Sequence, residues 1–395
     1  MTVPYLAERL QGFGTTIFAE MSALAVATGA VNLGQGFPDQ PGPPEVLDVA
    51  RAAIGTAFDQ YPPGPGVPEL RAAVAAHLAR FRGLSYDPDG EVLVTAGATE
   101  ALTAALLALL DPGDEVVLFE PMYDSYAAAV AMAGGVLRPV PLDPPLPGAG
   151  AWTFDPDRLR AAITGRTKLL LVNTPHNPTG KVFTRAELAG IADLAVERDL
   201  LVLTDEVYEH LVFAGAEHVS PATLPGMRER TLLVSSGGKT FRTTGWKVGW
   251  ICGPEPLVSA VRTAKQFLTY VNAGPFQPAV AAGLALPDAY FADLAADLEY
   301  RRDVLVTGLR GAGLPVISPQ ATYFATVDVR GLQPDGDGTA FCRSLPARAG
   351  VVAVPMGVFY ARGHEQAGGH LVRFAFCKSD AVLAEAVQRL RRLAA

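Results

Sequence analysis

The chain has 395 residues, a formal net charge of -8, and 18% charged against 49% hydrophobic side chains. That length predicts two or three domains, because a single core stops growing at roughly 250–300 residues. The acidic balance, with no run of Lys or Arg longer than a pair, argues against a basic nucleic-acid footprint, and the apolar content argues against a disordered chain.

The opening MTVPYLAERLQGFG places Glu8 and Arg9 where a signal peptide needs its apolar core. The first 40 residues hold no strong strand and are expected to pack on a C-terminal unit. Strand-like apolar runs then follow at 91–96, 115–120, 137–142, 168–173, 200–206, 231–236 and 248–253. Helical patterns separate them at 99–110, 123–134, 184–198 and 256–270, with Thr99 and Thr184 standing where N-caps belong. Strands apolar throughout, alternating with helices, predict an α/β fold with a mostly parallel sheet covered on both faces. Residues 143–151 and 332–340 read as surface loops.

Beyond residue 285 the pattern becomes α+β: a helix at 288–311, a strand at 322–329, a helix at 338–348, a strand at 370–376 and a final helix at 380–393. The expected division is an N-terminal segment 1–40, a large unit 41–285 and a small unit 286–395. The apolar run 101–110 is far short of the roughly 20 residues that span a bilayer. Three cysteines without a CxxC pair fit a reducing compartment, so a cytoplasmic protein with no membrane or nucleic-acid partner is expected.

Chemistry concentrates in LLVSSGGKTFRTTGWKVGW, residues 232–250. A phosphate-binding loop of the GxxxxGK[ST] type needs an opening glycine and a following helix. Leu233 occupies the glycine position, and the residues after Thr240 read as loop and strand. GQGFPD (34–39) lacks the third glycine of a dinucleotide fingerprint. GxSxG and HExxH are absent, and no Cys/His spacing suggests a metal; His176 and His210 read as structural.

Ligands of parallel sheets bind at the carboxyl ends of the strands. Asn177 follows the run 168–173, Asp205 and Tyr208 follow 200–204, and Lys239 follows 231–236. Gly97, Ala98 and Thr99 open a helix, a ready anion site. An amide, a carboxylate, a phenol, a lysine and an anion cradle on one rim meet the needs of pyridoxal phosphate. Singly the residues say little: Lys239 alone reads as a solvated surface charge, Arg373 equally well as a surface residue, and Tyr123 as a core aromatic.

In order and at their separations, NLGQGFPD (32–39), YPPGPG (61–66), GATEAL (97–102), EPMYDSY (120–126), NTPHNPTGKV (173–182), TDEVYEHLVF (204–213), KTFRTTGWKVGW (239–250) and LVRFAFCK (371–378) are similar to the class I/II aminotransferases of pyridoxal phosphate fold type I. The resemblance covers nearly the whole chain. It falls within the kynurenine, glutamine and methionine aminotransferase branch, nearest the actinobacterial N-succinyldiaminopimelate aminotransferases.

It implies a seven-stranded, mostly parallel sheet sandwiched by helices, with a smaller α+β domain. Lys239 would be the Schiff-base lysine, Asp205 the partner of the pyridine nitrogen, and Tyr208 and Asn177 the donors to the ring hydroxyl. Tyr123 would stack on the ring, and Gly97, Ala98, Thr99, Ser236 and Lys247 would hold the phosphate. Tyr61 would reach in from the second subunit of a homodimer, as would the segment 269–277. Arg373 and the backbone of Gly36 would receive the substrate carboxylate, and Phe18 would wall the pocket. Amino-acid and keto-acid substrates are implied, with carbon–sulfur β-lyase chemistry as the alternative on the same fold. The chain departs from the family pattern at Gly237-Gly238, at Ala321 and at Arg242; the last could alter substrate choice.

Overall fold

The computed structural model describes residues 5–14, 17–146 and 150–393, so the centre of the loop expected at 143–151 lies outside the described residues. Its centre is a seven-stranded sheet in the spatial order Val92–Thr95, Gly249–Cys252, Thr231–Ser236, Leu201–Asp205, Thr167–Asn173, Glu115–Glu120, Val136–Pro141. Only Gly249–Cys252 runs antiparallel to its neighbours. Every residue of Val92–Thr95, Glu115–Glu120 and Thr231–Ser236 is buried, as a sheet covered on both faces requires. Val136–Pro141 carries Pro139 and Pro141 and is mostly half-exposed, which suits its place at the sheet edge, where a missing N–H breaks no ladder.

The helix ends differ from expectation where backbone conformation overrides pattern. Thr184 is an N-cap, completed by Glu187 into a capping box. Thr99 is not: Gly97 at φ +74° starts that helix two residues earlier, and the Glu100 carboxylate accepts the Ala96 N–H at 2.6 Å. The helix expected to reach 270 ends at Lys265, whose Nζ turns back onto the Tyr270 carbonyl at 2.7 Å. Gly237–Thr240 forms one helical turn around Lys239, and the residues after Thr240 run through loop into the strand Gly249–Cys252, as expected.

In the C-terminal third, four short antiparallel strands lie in the order Val354–Pro355, Leu371–Ala375, Phe324–Asp328, Val316–Ile317. They pack with Asp288–Gly311, Gly338–Ala349 and Asp380–Leu390 around one apolar cluster. Helix Ile17–Thr28 rests on this unit, and a two-residue strand, Val31–Asn32, pairs parallel with Val351–Val352. No single helix among the described residues is long and apolar enough to cross a membrane.

One buried cluster is announced by no spacing in the chain. His77 and His210 meet Nε2 to Nε2 at 2.7 Å, beside Glu209, which takes the Ser235 hydroxyl at 2.8 Å and pairs with Arg82 at 3.3 Å. Burial holds both imidazoles neutral, His210 down to about 3. The two rings satisfy each other as core histidines.

Candidate active site

A cavity of about 470 Å³ opens at the carboxyl ends of the central strands. Asp205 ends its strand on the cavity floor, buried. Its Oδ2 accepts the Tyr126 hydroxyl at 2.6 Å and its Oδ1 the Val207 N–H at 3.3 Å. Burial raises the carboxyl pKa, while Tyr126, Val207 and the charge of Lys239 oppose the rise. On the adjacent strand Asn173 donates Nδ2 to the Asp205 carbonyl at 2.9 Å and accepts the Asn177 N–H at 2.7 Å. That bridge sets the loop that presents Asn177 beside Asp205 and Tyr208.

Lys239 lines the same cavity from the turn after Thr231–Ser236. Its Nζ lies 5.7 Å and 5.8 Å from the ring centroids of Tyr208 and Tyr323. Burial lowers its pKa, so more of the amine is free to act as nucleophile or base. The unusual glycine pair has a steric reason. A Cβ on Gly237 would sit 2.9 Å from Val280, and one on Gly238 would sit 3.1 Å from the Thr244 backbone.

The anion end is built on the first turn of Gly97–Leu109. Gly249 lets strand and helix meet, since a Cβ there would come within 2.6 Å of the Gly97 carbonyl carbon. The side chain of Lys247 approaches the same turn, 3.5 Å from where a Gly97 Cβ would stand. Ala98, Thr99 and Ser236 complete this wall. Open helix amides, two hydroxyls and an ammonium fit a phosphate dianion, and Asp205 at the far side fits a cationic ring nitrogen. The residues present therefore suit pyridoxal phosphate.

Arg373 is buried rather than on the surface. It donates to Asn177 Oδ1 at 3.0 Å and to the Gly34 carbonyl at 3.3 Å, while its Nε has no partner. The guanidinium lies 3.8 Å from the centroid of Phe324, 4.6 Å from Phe359 and 5.4 Å from Phe18. Burial brings its pKa to about 10, which leaves it charged at neutral pH. It has no ion-pair partner among the described residues, so a ligand carboxylate is the counter-charge it can accept. The aromatic sleeve places Phe18 on the cavity wall; the Gly36 backbone lies against Phe324, where a Cβ would fall 2.4 Å from the ring.

Thus Phe18, Gly36, Gly97, Ala98, Thr99, Tyr123, Asn177, Asp205, Tyr208, Ser236, Lys239, Lys247 and Arg373 all line one cavity. Tyr61 does not; it is 83% exposed, edge-on to Tyr270 at 5.7 Å. Sequence reasoning missed Tyr126, Asn173, Gln35, Asp124 and Phe324. Tyr126 stands inside the quoted EPMYDSY motif one helical turn past Tyr123, so spacing could have singled it out. Tyr126→Phe should raise the Asp205 pKa further and weaken cofactor retention by about tenfold, the size of one hydrogen bond to a charged group. Equilibrium dialysis with the cofactor checks this, and unchanged retention contradicts it.

A floor carboxylate, a buried amine, a phosphate cradle and the buried cation of Arg373 on one cavity define a pyridoxal phosphate enzyme of fold type I. Comparison with known proteins narrows the class. Residues 28–390 match the family Aminotransferase class I and II. The chain is 52% identical over 392 residues to the "probable N-succinyldiaminopimelate aminotransferase DapC" of Mycobacterium tuberculosis, covering 98% of each. It superposes on the structure of N-succinyldiaminopimelate aminotransferase from that organism with a TM-score of 0.94, over 98% of this chain and 100% of that one. It is 39% identical to the methionine aminotransferase of Escherichia coli, covering 98% and 97% of the two chains. The chain belongs to the class I and II aminotransferases and is a pyridoxal phosphate-dependent transaminase.

Proposed function

We propose that the chain transfers the amino group of glutamate to N-succinyl-2-amino-6-ketopimelate, acting as an N-succinyldiaminopimelate aminotransferase in lysine biosynthesis. The support is the 52% identity and 0.94 TM-score to the Mycobacterium tuberculosis enzyme, against 39% to the methionine aminotransferase. The second reading is a kynurenine or glutamine/methionine aminotransferase. The aromatic wall of Phe18, edge-on to Phe359 at 5.8 Å, favours it for flat side chains.

When bound, the cofactor supplies an electron sink for the charge left at the substrate Cα. In this reading Lys239 Nζ anchors it and carries the Cα proton. Asp205 holds the proton on its ring nitrogen, while Tyr208 and Asn177 donate to its ring hydroxyl. Tyr123 covers a ring face, and Gly97, Ala98, Thr99, Ser236 and Lys247 hold the phosphate. Arg373, with the Gly36 backbone, orients the α-carboxylate, so the Cα proton faces Lys239. We read the enzyme as a cytoplasmic homodimer in which Tyr61 serves the partner's site; its exposure suits that role. Residues 41–285 form the cofactor unit and 286–395, joined by 1–40, the small one.

Steady-state rates with a panel of acceptors and donors test the assignment. The succinylated keto acid with glutamate should exceed kynurenine, glutamine and methionine in kcat/KM by at least about tenfold, the discrimination one good contact supports. The reverse ranking overturns the substrate. Ammonia and pyruvate released from cysteine conjugates at comparable rate would favour the lyase instead.

A further inference from the structure

Arg242 stands three residues beyond Lys239, and its side chain does not line the substrate cavity. Its backbone is left-handed, at φ +56°, a conformation a long side chain keeps only when its surroundings hold it. The guanidinium spans two other parts of the chain. One nitrogen donates to Gln40 Oε1 at 2.9 Å and another to Asp297 Oδ2 at 2.9 Å. The Asp297 carboxylate also receives Arg301, at 3.1 Å from Nε, and Arg301 bonds the carbonyl of Lys378. Lys378 in turn donates Nζ to the Phe37 carbonyl at 2.7 Å. The contacts close a ring, from the lysine turn through Asp297, Arg301 and Lys378 to Phe37, and back through Gln40 to Arg242.

The segment held inside that ring is the one whose Gln35, Gly36 and Phe37 form part of the cavity wall. Arg242 and Asp297 also line a small void behind Lys239 and the open cleft outside it. We infer that Arg242 is a positioning residue that clamps the wall segment 35–40 to the turn carrying Lys239. The inference rests on reading Lys239 as the reacting lysine. Arg242 therefore acts on how substrate is seated, through Gly36 and Phe37, and touches no reacting atom. Its side chain is 25% exposed and that of Asp297 33%, so the ion pair itself is weak and the effect lies in the geometry it fixes.

The test uses purified holoenzyme of wild type, Arg242→Ala and Arg242→Lys. Arg242→Ala should raise the KM for the amino donor by about tenfold while kcat changes less than about threefold, the signature of lost ground-state seating. Hydrogen–deuterium exchange should quicken by at least about threefold in the peptide holding residues 34–40. Exchange in the peptide of helix Gly97–Leu109 should stay as in wild type. Arg242→Lys keeps the charge but reaches only one partner at a time, so it should fall between the two. If the alanine variant does not fold, Asp297→Asn replaces it, with the same direction expected in exchange and KM. Unchanged KM together with unchanged exchange at 34–40 overturns the clamp, as does a uniform rise in exchange across the chain. A wild type that retains no cofactor and transaminates nothing overturns the underlying assignment of Lys239 as well.

Discussion

Lys239→Ala protein is expected to lose transamination by at least about a thousandfold, the range of a general base combined with a covalent anchor. In the proposed mechanism Lys239 both joins the cofactor covalently and approaches the substrate Cα; it lines the cavity beside Asp205 and Tyr208, while the Lys247 side chain lies near the Gly97 turn. Burial lowers the Lys239 pKa, which favours the free amine that both tasks need. The variant keeps Asp205, Tyr123 and the phosphate cradle, so it should still bind the cofactor, now removable by dialysis and with a changed visible spectrum. Added small amines should restore a measurable fraction of the rate, because the missing group is a base and not a fold element. A variant retaining a tenth or more of wild-type kcat removes Lys239 from the chemistry. Loss of cofactor binding with no amine rescue assigns it to the phosphate instead.

How much of this was legible follows from the range of the interactions. The seven strands were visible because each is a short apolar run closed by a turn. The rim could be drawn because parallel strands put their ends on one side. Lys239, Asp205 and Asn177 therefore came out of local sequence. The cap at Thr99 did not, because the decision lies in the left-handed backbone of Gly97, and pattern carries no φ. Arg373 was ambiguous in its alternating strand, because its burial depends on Phe18, Phe324 and Phe359 arriving from three other segments. The bond from Tyr126 to Asp205 joins residues 79 apart, and that from Arg373 to Asn177 residues 196 apart. Such contacts are set by how helices dock on the sheet. Arg242 shows the same limit: the motif places it beside Lys239, yet its partners Gln40 and Asp297 lie 202 and 55 residues away.

Asp205→Asn is the second large effect, and it should separate stability from function. Activity is expected to fall by about a hundredfold or more, the scale of one fixed charge in a water-poor site. Stability should move in opposite directions with and without cofactor. Burial raises the Asp205 pKa in the folded protein, so the folded state holds that proton more tightly than the unfolded chain does. The stability this contributes is fully present below the ordinary aspartate value and is lost as pH rises through the raised one. Once ionised, the buried Asp205 carboxylate of the cofactor-free protein bears a desolvation cost that only Tyr126, Val207 and the charge of Lys239 oppose. Asparagine is nearly the same shape and carries no charge; its Oδ1 can still accept the Val207 N–H while its Nδ2 donates to the Tyr126 hydroxyl oxygen, so at pH values where Asp205 is ionised the cofactor-free variant should melt higher than cofactor-free wild type. In the proposed role of Asp205, a cationic ring nitrogen held by it would supply the missing counter-charge, so the wild type should gain more from added cofactor than the variant gains. Melting curves of both proteins, with and without cofactor, at pH values on either side of neutrality check the four cases. An asparagine variant that melts lower without cofactor and gains as much from adding it would mean that Asp205 is a structural acceptor and that the ring nitrogen is held elsewhere.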